Sequence, residues 1–115
     1  MKPCYEHQMK KGTLEIIVLK LISIKPTYGY DLLSSITQKS DGFLQLREGT
    51  LYPILYRLED DGFIVSKWSE ENRRGKPKKI YTITSAGDGE LRKLTQIWTQ
   101  FAECVSNMLK EENTL

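Results

Sequence analysis

A seven-residue spacing runs through the C-terminal quarter of this chain. Leu91, Trp98 and Val105 lie seven apart, and Leu94, Phe101 and Met108 repeat the same interval three residues later. That is the a/d pattern of a helix with one apolar seam. Ile97, Ala102, Cys104 and Leu109 widen it. Thr84 or Ser85 suits the N-cap, while Gly87 and Gly89 weaken the first turns. One helix over 85–112 would be about 42 Å long at 1.5 Å per residue. A compact domain of 115 residues is about 35 Å across. A helix that outruns its own core leaves Trp98, Phe101, Val105 and Met108 without cover. A two-fold dimer along Leu91, Leu94, Trp98, Phe101, Val105 and Met108 is the economical expectation. The alternative is that the seam folds back on the first helix of the same chain.

The rest of the chain holds three shorter helices and a hairpin. Leu14, Ile17, Val18, Leu21 and Ile22 follow i, i+3, i+4, i+7, i+8 after a capping Thr13. Pro26 ends that helix. Ile16 and Leu19 lie off the stripe and predict contact with a second surface. Thr27 caps a second helix that buries Leu32, Leu33 and Ile36, with Gly29 in its first turn. Leu51, Ile54, Leu55 and Leu58 form the apolar face of a third helix. It starts near 48–50, because Pro53 belongs in a first turn, and stops at Gly62. Its other face carries Thr50, Tyr52, Pro53, Tyr56 and Arg57. Two strand-forming runs follow, 63–68 and 79–84, joined by a polar segment with turn residues.

Charge is uneven. The chain has 17 basic and 15 acidic side chains, for a net charge of +2. Arg73, Arg74, Lys76, Lys78 and Lys79 place five of the basic ones within seven residues, at the hairpin tip. So compact a patch on a near-neutral chain suits phosphate. Hydrophobic content of 39% fits a globular protein, and no apolar run is long enough for a membrane span. No signal-peptide pattern follows Met1, so the expected compartment is the cytoplasm. Cys4 and Cys104 are expected as free thiols. No cofactor or metal is expected. His7 is the only histidine, and no nucleophile–base pair or phosphate loop is present, which argues against an enzyme.

The order helix, helix, helix, hairpin, long helix is that of a winged helix-turn-helix. In it the third helix enters the major groove and the wing reaches flanking backbone. The fold class is therefore mainly α with a small β-hairpin. Residues 1–84 would form the DNA-binding domain with an N-terminal arm, and 85–115 the dimerisation helix.

Particular motifs carry a family likeness. Lys11-Gly12-Thr13-Leu14, Tyr28-Gly29-Tyr30, Glu48-Gly49-Thr50-Leu51-Tyr52-Pro53 with Arg57-Leu58-Glu59, and Tyr81-x-Ile83-Thr84-x-x-Gly87 resemble the PadR-like transcriptional regulators, over residues 11 to 98. The resemblance implies a homodimeric repressor on a palindromic double-stranded DNA operator. The short C-terminal helix is similar to that of a smaller subfamily, in which flat aromatic or hydrophobic effectors sit between paired tryptophans. Trp98 is at the matching place, with Ile16 and Leu19 as candidate walls. Thr50, Tyr52, Pro53, Tyr56 and Arg57 are the candidate groove-facing residues. Lys11 and Tyr30 are candidates for backbone phosphates, and the five wing cations for phosphate neutralisation. A winged-helix protein-interaction module without specific DNA binding is the rival class. The motifs do not favour a MarR-like regulator.

The wing assignment has a direct test. Arg73→Ala with Arg74→Ala should weaken binding to all duplexes alike. The salt dependence should shallow by up to roughly 0.9 for each phosphate no longer neutralised. An unchanged slope in salt titrations would take the tip off the DNA.

Overall fold

The computed structural model describes residues 12–69 and 75–112. The elements are α1 (Thr13–Ile24), α2 (Gly29–Lys39), α3 (Glu48–Asp60), β1 (Ile64–Trp68), β2 (Lys79–Ile83) and α4 (Ser85–Leu109). Three helices, an antiparallel hairpin and a long last helix make a winged helix-turn-helix, as the periodicities predict. Helix α1 lies against β2 and the start of α4, α3 packs on α2 and β1, and the core sits between them.

The buried face of α1 is rotated from its apolar stripe. Leu14, Val18, Leu19 and Ile22 are buried, whereas Ile17 and Leu21 are only partly so. Eight of the twelve positions of α1 are aliphatic, spread over more than one arc, so periodicity alone does not say which arc faces inward. Ile17 and Leu21 instead face the groove beside α4. Full burial of side chains such as Leu19, Leu51 and Leu55 stabilises by about 1.5–3 kcal/mol each.

The helix ends show local chemistry. Gly12, at φ 86°, is the N-cap of α1, and Thr13 is its first residue rather than its cap. Tyr28 precedes α2. Thr27 does not cap it directly. Its hydroxyl donates to Asp31 Oδ2 at 3.0 Å while its backbone pairs with β2. Between α2 and α3, the Ser40 hydroxyl donates to the Ile36 carbonyl and accepts from Leu44 N–H at 2.9 Å. Helix α3 stops as expected. Gly62, at φ 80°, donates to the Glu59 carbonyl, and Phe63 N–H donates to that of Leu58, a Schellman closure.

Pro53 lies deeper than a first turn, sixth in α3. It cannot return an N–H to the carbonyl of Gly49. Both residues are exposed, so water can satisfy that oxygen. The helix opens with Thr50 and Leu51 both donating to the Arg47 carbonyl.

The hairpin pairs Ile64 with Ile83, Ser66 with Tyr81 and Trp68 with Lys79. On its other edge, Tyr81 exchanges both backbone hydrogen bonds with Thr27, at 2.7 and 3.2 Å. Thr84 then caps α4, its hydroxyl accepting from Gly87 N–H at 3.0 Å and donating to the Gly62 carbonyl at 2.7 Å.

Gly87 is buried, and a Cβ on it would collide with the Phe63 carbonyl oxygen and Ile83. The motif glycine is thus a contact point, not merely a weak helix residue. Gly89 faces open space. Gly89→Ala should therefore stabilise the chain by up to about 1 kcal/mol through helix propensity. Gly87→Ala should instead destabilise it by roughly 1–3 kcal/mol, because overpacking outweighs the same gain. Denaturant melts of the two variants should shift in opposite directions.

Candidate nucleic-acid interface and the groove beside α4

One recess gathers most of the unusual side chains. Tyr28, Gly29 and Tyr30 from α2's start, Tyr52 and Tyr56 from α3, and Trp68, Lys78, Lys79 and Tyr81 from the hairpin line a hollow of about 460 Å³. Its position follows from the fold: α3 and the loop-side ends of the two strands both lie against the N-terminal end of α2. Tyr30 and Tyr56 are exposed, and the Tyr52 and Tyr56 rings stand 6.2 Å apart. Lys78 Nζ sits 4.3 Å from the centre of the Tyr28 ring, within cation–π range. Thr50 and Pro53 are exposed on α3.

Several expected contacts are placed differently. Tyr52 is partly buried against the core, and its hydroxyl lies where a Gly29 side chain would be. Gly29 is therefore approached closely by the Tyr52 ring. Arg57 is paired with Glu15 of α1, which ties α3 to α1. Lys79 opens β2 opposite Trp68, 3.9 Å from Glu59 and 5.9 Å from the Tyr56 ring. Lys76 and Lys78 are exposed on the second half of the wing. Ser69 and Lys78 extend the hairpin by one more pair, through 2.7 and 2.8 Å hydrogen bonds. Lys11, Arg73 and Arg74 lie outside the described residues.

A second feature lies on another face. Helices α1 and α4 bound a groove of about 800 Å³. Ile16, Ile17, Leu21, Leu91 and Trp98 line it, with Lys20, Lys39 and Arg92 among its polar residues. Ile16 is where the effector expectation places it. Leu19 is not, because it is fully buried in the domain core and cannot meet a ligand. The seam of α4 also divides. Leu91 is 9% exposed and Leu94 packs against the core within the same chain. Trp98 at 46%, Phe101 at 67% and Val105 and Met108 beyond them stay uncovered. Self-packing and projection each hold for one half of the helix. Cys104 is an exposed free thiol.

Among the described residues no cluster of acidic, cysteine or histidine side chains could hold a metal, and no helix is long and apolar enough to cross a membrane.

The ionisation of Tyr81 is shifted. Its side chain is 1% exposed, and its hydroxyl finds no hydrogen-bond partner among the described residues. Burial, helped by the nearby Glu59 carboxylate, pushes its pKa from 10 to about 12. The folded state then holds this proton more tightly than the unfolded chain. Its contribution to stability is complete below pH 10 and is lost as pH rises through about 12. Tyr81→Phe should flatten that part of the stability–pH profile relative to wild type. At neutral pH it should be neutral or stabilising by about 1 kcal/mol, since it removes an unpaired hydroxyl.

With this geometry in place, comparison with known proteins is informative. Residues 18–93 match the PadR-like transcriptional regulator family. A Lysinibacillus sphaericus protein of uncharacterised role is 34% identical over 95 residues, covering 83% of this chain and 86% of its own. The negative transcriptional regulator PadR of Bacillus subtilis is 31% identical over 78 residues, which is 68% of this chain but only 42% of that longer protein. Among solved structures, a PadR-like regulator from Bacillus cereus superposes with a TM-score of 0.78 at 32% identity, covering 91% of this chain and 99% of its own. A transcriptional regulator from Clostridium thermocellum gives 0.82 at 27% identity, covering 90% and 99%. These are families of regulators rather than enzymes, and this chain belongs to the PadR-like transcriptional regulators.

Proposed function

We propose that this PadR-like regulator is a cytoplasmic repressor that binds a palindromic operator as a homodimer and is released by a small effector. The recess shared by α2, α3 and the hairpin carries the DNA half of this reading. Tyr56, Tyr30 and Lys78 share it, while Thr50 and Pro53 are exposed on the same helix and Lys76 is exposed on the wing. Arg73 and Arg74 add to that patch on the strength of their sequence position. With few side chains suited to bidentate base contacts, tyrosine packing, groove shape and half-site spacing supply much of the discrimination. Tyr52 acts from behind, supporting Tyr56 and the start of α2 rather than reading bases alone.

The uncovered half of α4 supports the dimer. Among the described residues, Ile97, Trp98, Phe101, Val105 and Met108 form an apolar strip that stays largely exposed. A second copy of the same helix satisfies it with two-fold symmetry. The groove between α1 and α4 reaches Trp98, so a planar apolar molecule there would also touch the dimer contact. Its cations favour neutral or anionic compounds over cationic ones. A ligand that wedges the α4 pair would alter the distance between the two reading helices.

Selection of bound fragments from random DNA should recover an inverted repeat; recovery of no preferred sequence would defeat the DNA reading. Phe101→Glu with Val105→Glu should give a monomer by sedimentation. Operator affinity should then fall roughly a hundredfold with loss of bivalency, and random-duplex affinity much less. In a Trp68→Phe background, planar aromatic compounds should quench Trp98 fluorescence and weaken operator binding together. Silence in both signals across a broad panel would make the groove a plain packing surface.

A further inference from the structure

We propose that Glu59 is a positioning residue for DNA recognition, holding both wing strands against the last turn of the reading helix. The proposal rests on the DNA reading of the α3–wing face. Glu59 lies on α3 and is not itself placed to attract DNA. Its Oε2 accepts from the Ser66 hydroxyl of β1 at 2.5 Å. Its Oε1 lies 3.9 Å from Lys79 Nζ of β2. One carboxylate therefore grips both strands, at positions two register pairs apart.

The wing has other ties, but they lie elsewhere. Thr84 binds Phe63 and Gly62 at the hairpin's base, and Thr27 holds the backbone of Tyr81 on the outer edge. Ser66 is two residues further along β1 than Ile64, about 7 Å toward the tip at strand rise. A small rotation about the base would swing the tip cations along the DNA. Glu59 resists that rotation from the α3 side. It also keeps the Lys79 ammonium beside the Tyr56 and Tyr81 rings, at 5.9 and 5.8 Å. Lys79 is thereby presented with the reading face instead of the tip.

Charge gives this role a distinguishing sign. A carboxylate near phosphates repels them, so simple electrostatics has Glu59→Ala tighten binding to every duplex. A positioning role has the same change reduce the preference for the selected operator over random DNA. Ser66→Ala removes the 2.5 Å contact without altering charge. Glu59→Gln keeps an acceptor for Ser66 and loses the ion pair.

The experiment titrates wild type and the three variants with the selected duplex and a random duplex at one salt concentration. Thermal melts and amide exchange of the free proteins accompany it. Glu59→Ala and Ser66→Ala should each lower the specific-to-random ratio by about tenfold, the scale of removing one hydrogen bond to a charged group. Hairpin amides should exchange faster, and Glu59→Gln should fall between. An unchanged ratio, with both affinities rising in Glu59→Ala, overturns the proposal in favour of a bystander charge. A uniform fall on both duplexes that tracks melting temperature overturns it in favour of a purely structural role. If wild type itself prefers no duplex, the DNA reading fails. Hairpin exchange then still decides the grip: faster exchange in Ser66→Ala upholds it, and unchanged exchange refutes it.

Discussion

The backbone exchange between Thr27 and Tyr81 joins the wing to the helical domain. A two-stranded hairpin alone is marginal in water and leaves both edges open. Thr27 closes the β2 edge with two hydrogen bonds, and the Tyr81 side chain is then driven fully into the core. That burial leaves a hydroxyl unpaired, which raises the cost of ionising it. It also fixes the hairpin relative to α1, α2 and α3. The recess under the wing exists because this joint holds β2 over the start of α2.

Two glycines let neighbouring parts come close enough for this arrangement. Gly87 allows the first turn of α4 to rest under the Phe63 carbonyl, so that Leu91 reaches α1. Gly29 leaves room for the Tyr52 ring, which brings α3 onto the N-terminal end of α2. The early turns of α4 are therefore part of the domain core, while its later turns stand clear. The same helix thus has Leu91 and Leu94 packed in the core and Trp98 and Phe101 exposed beyond them.

The helices were legible because each has a marked apolar period or a stop signal. Leu51, Ile54, Leu55 and Leu58 are all buried, and Gly62 has the left-handed φ expected of it. The site was less legible. Arg57 and Lys79 carry the right charge for phosphate, but their acidic partners, Glu15 and Glu59, lie 42 and 20 residues away in the chain. Pairing at that distance leaves no local trace. Leu19 misled for a different reason: on a helix aliphatic over more than one arc, which arc meets the core depends on its neighbours. Gly87 did have a signal, a glycine kept in an otherwise sound helix start, although its purpose shows only when Phe63 is placed above it.

By itself the sequence determined the number, order and kind of elements, since hydrophobic period and turn chemistry act over a few residues. It also determined that part of α4 exceeds what one domain can cover, because helix rise and domain size are set by length alone. Tertiary structure decided which half of the seam is spent internally, which cations are already paired, and that Glu59 links α3 to both strands of the hairpin. Those outcomes depend on contacts between residues distant in sequence, and only the folded arrangement of the helices and the hairpin brings them together.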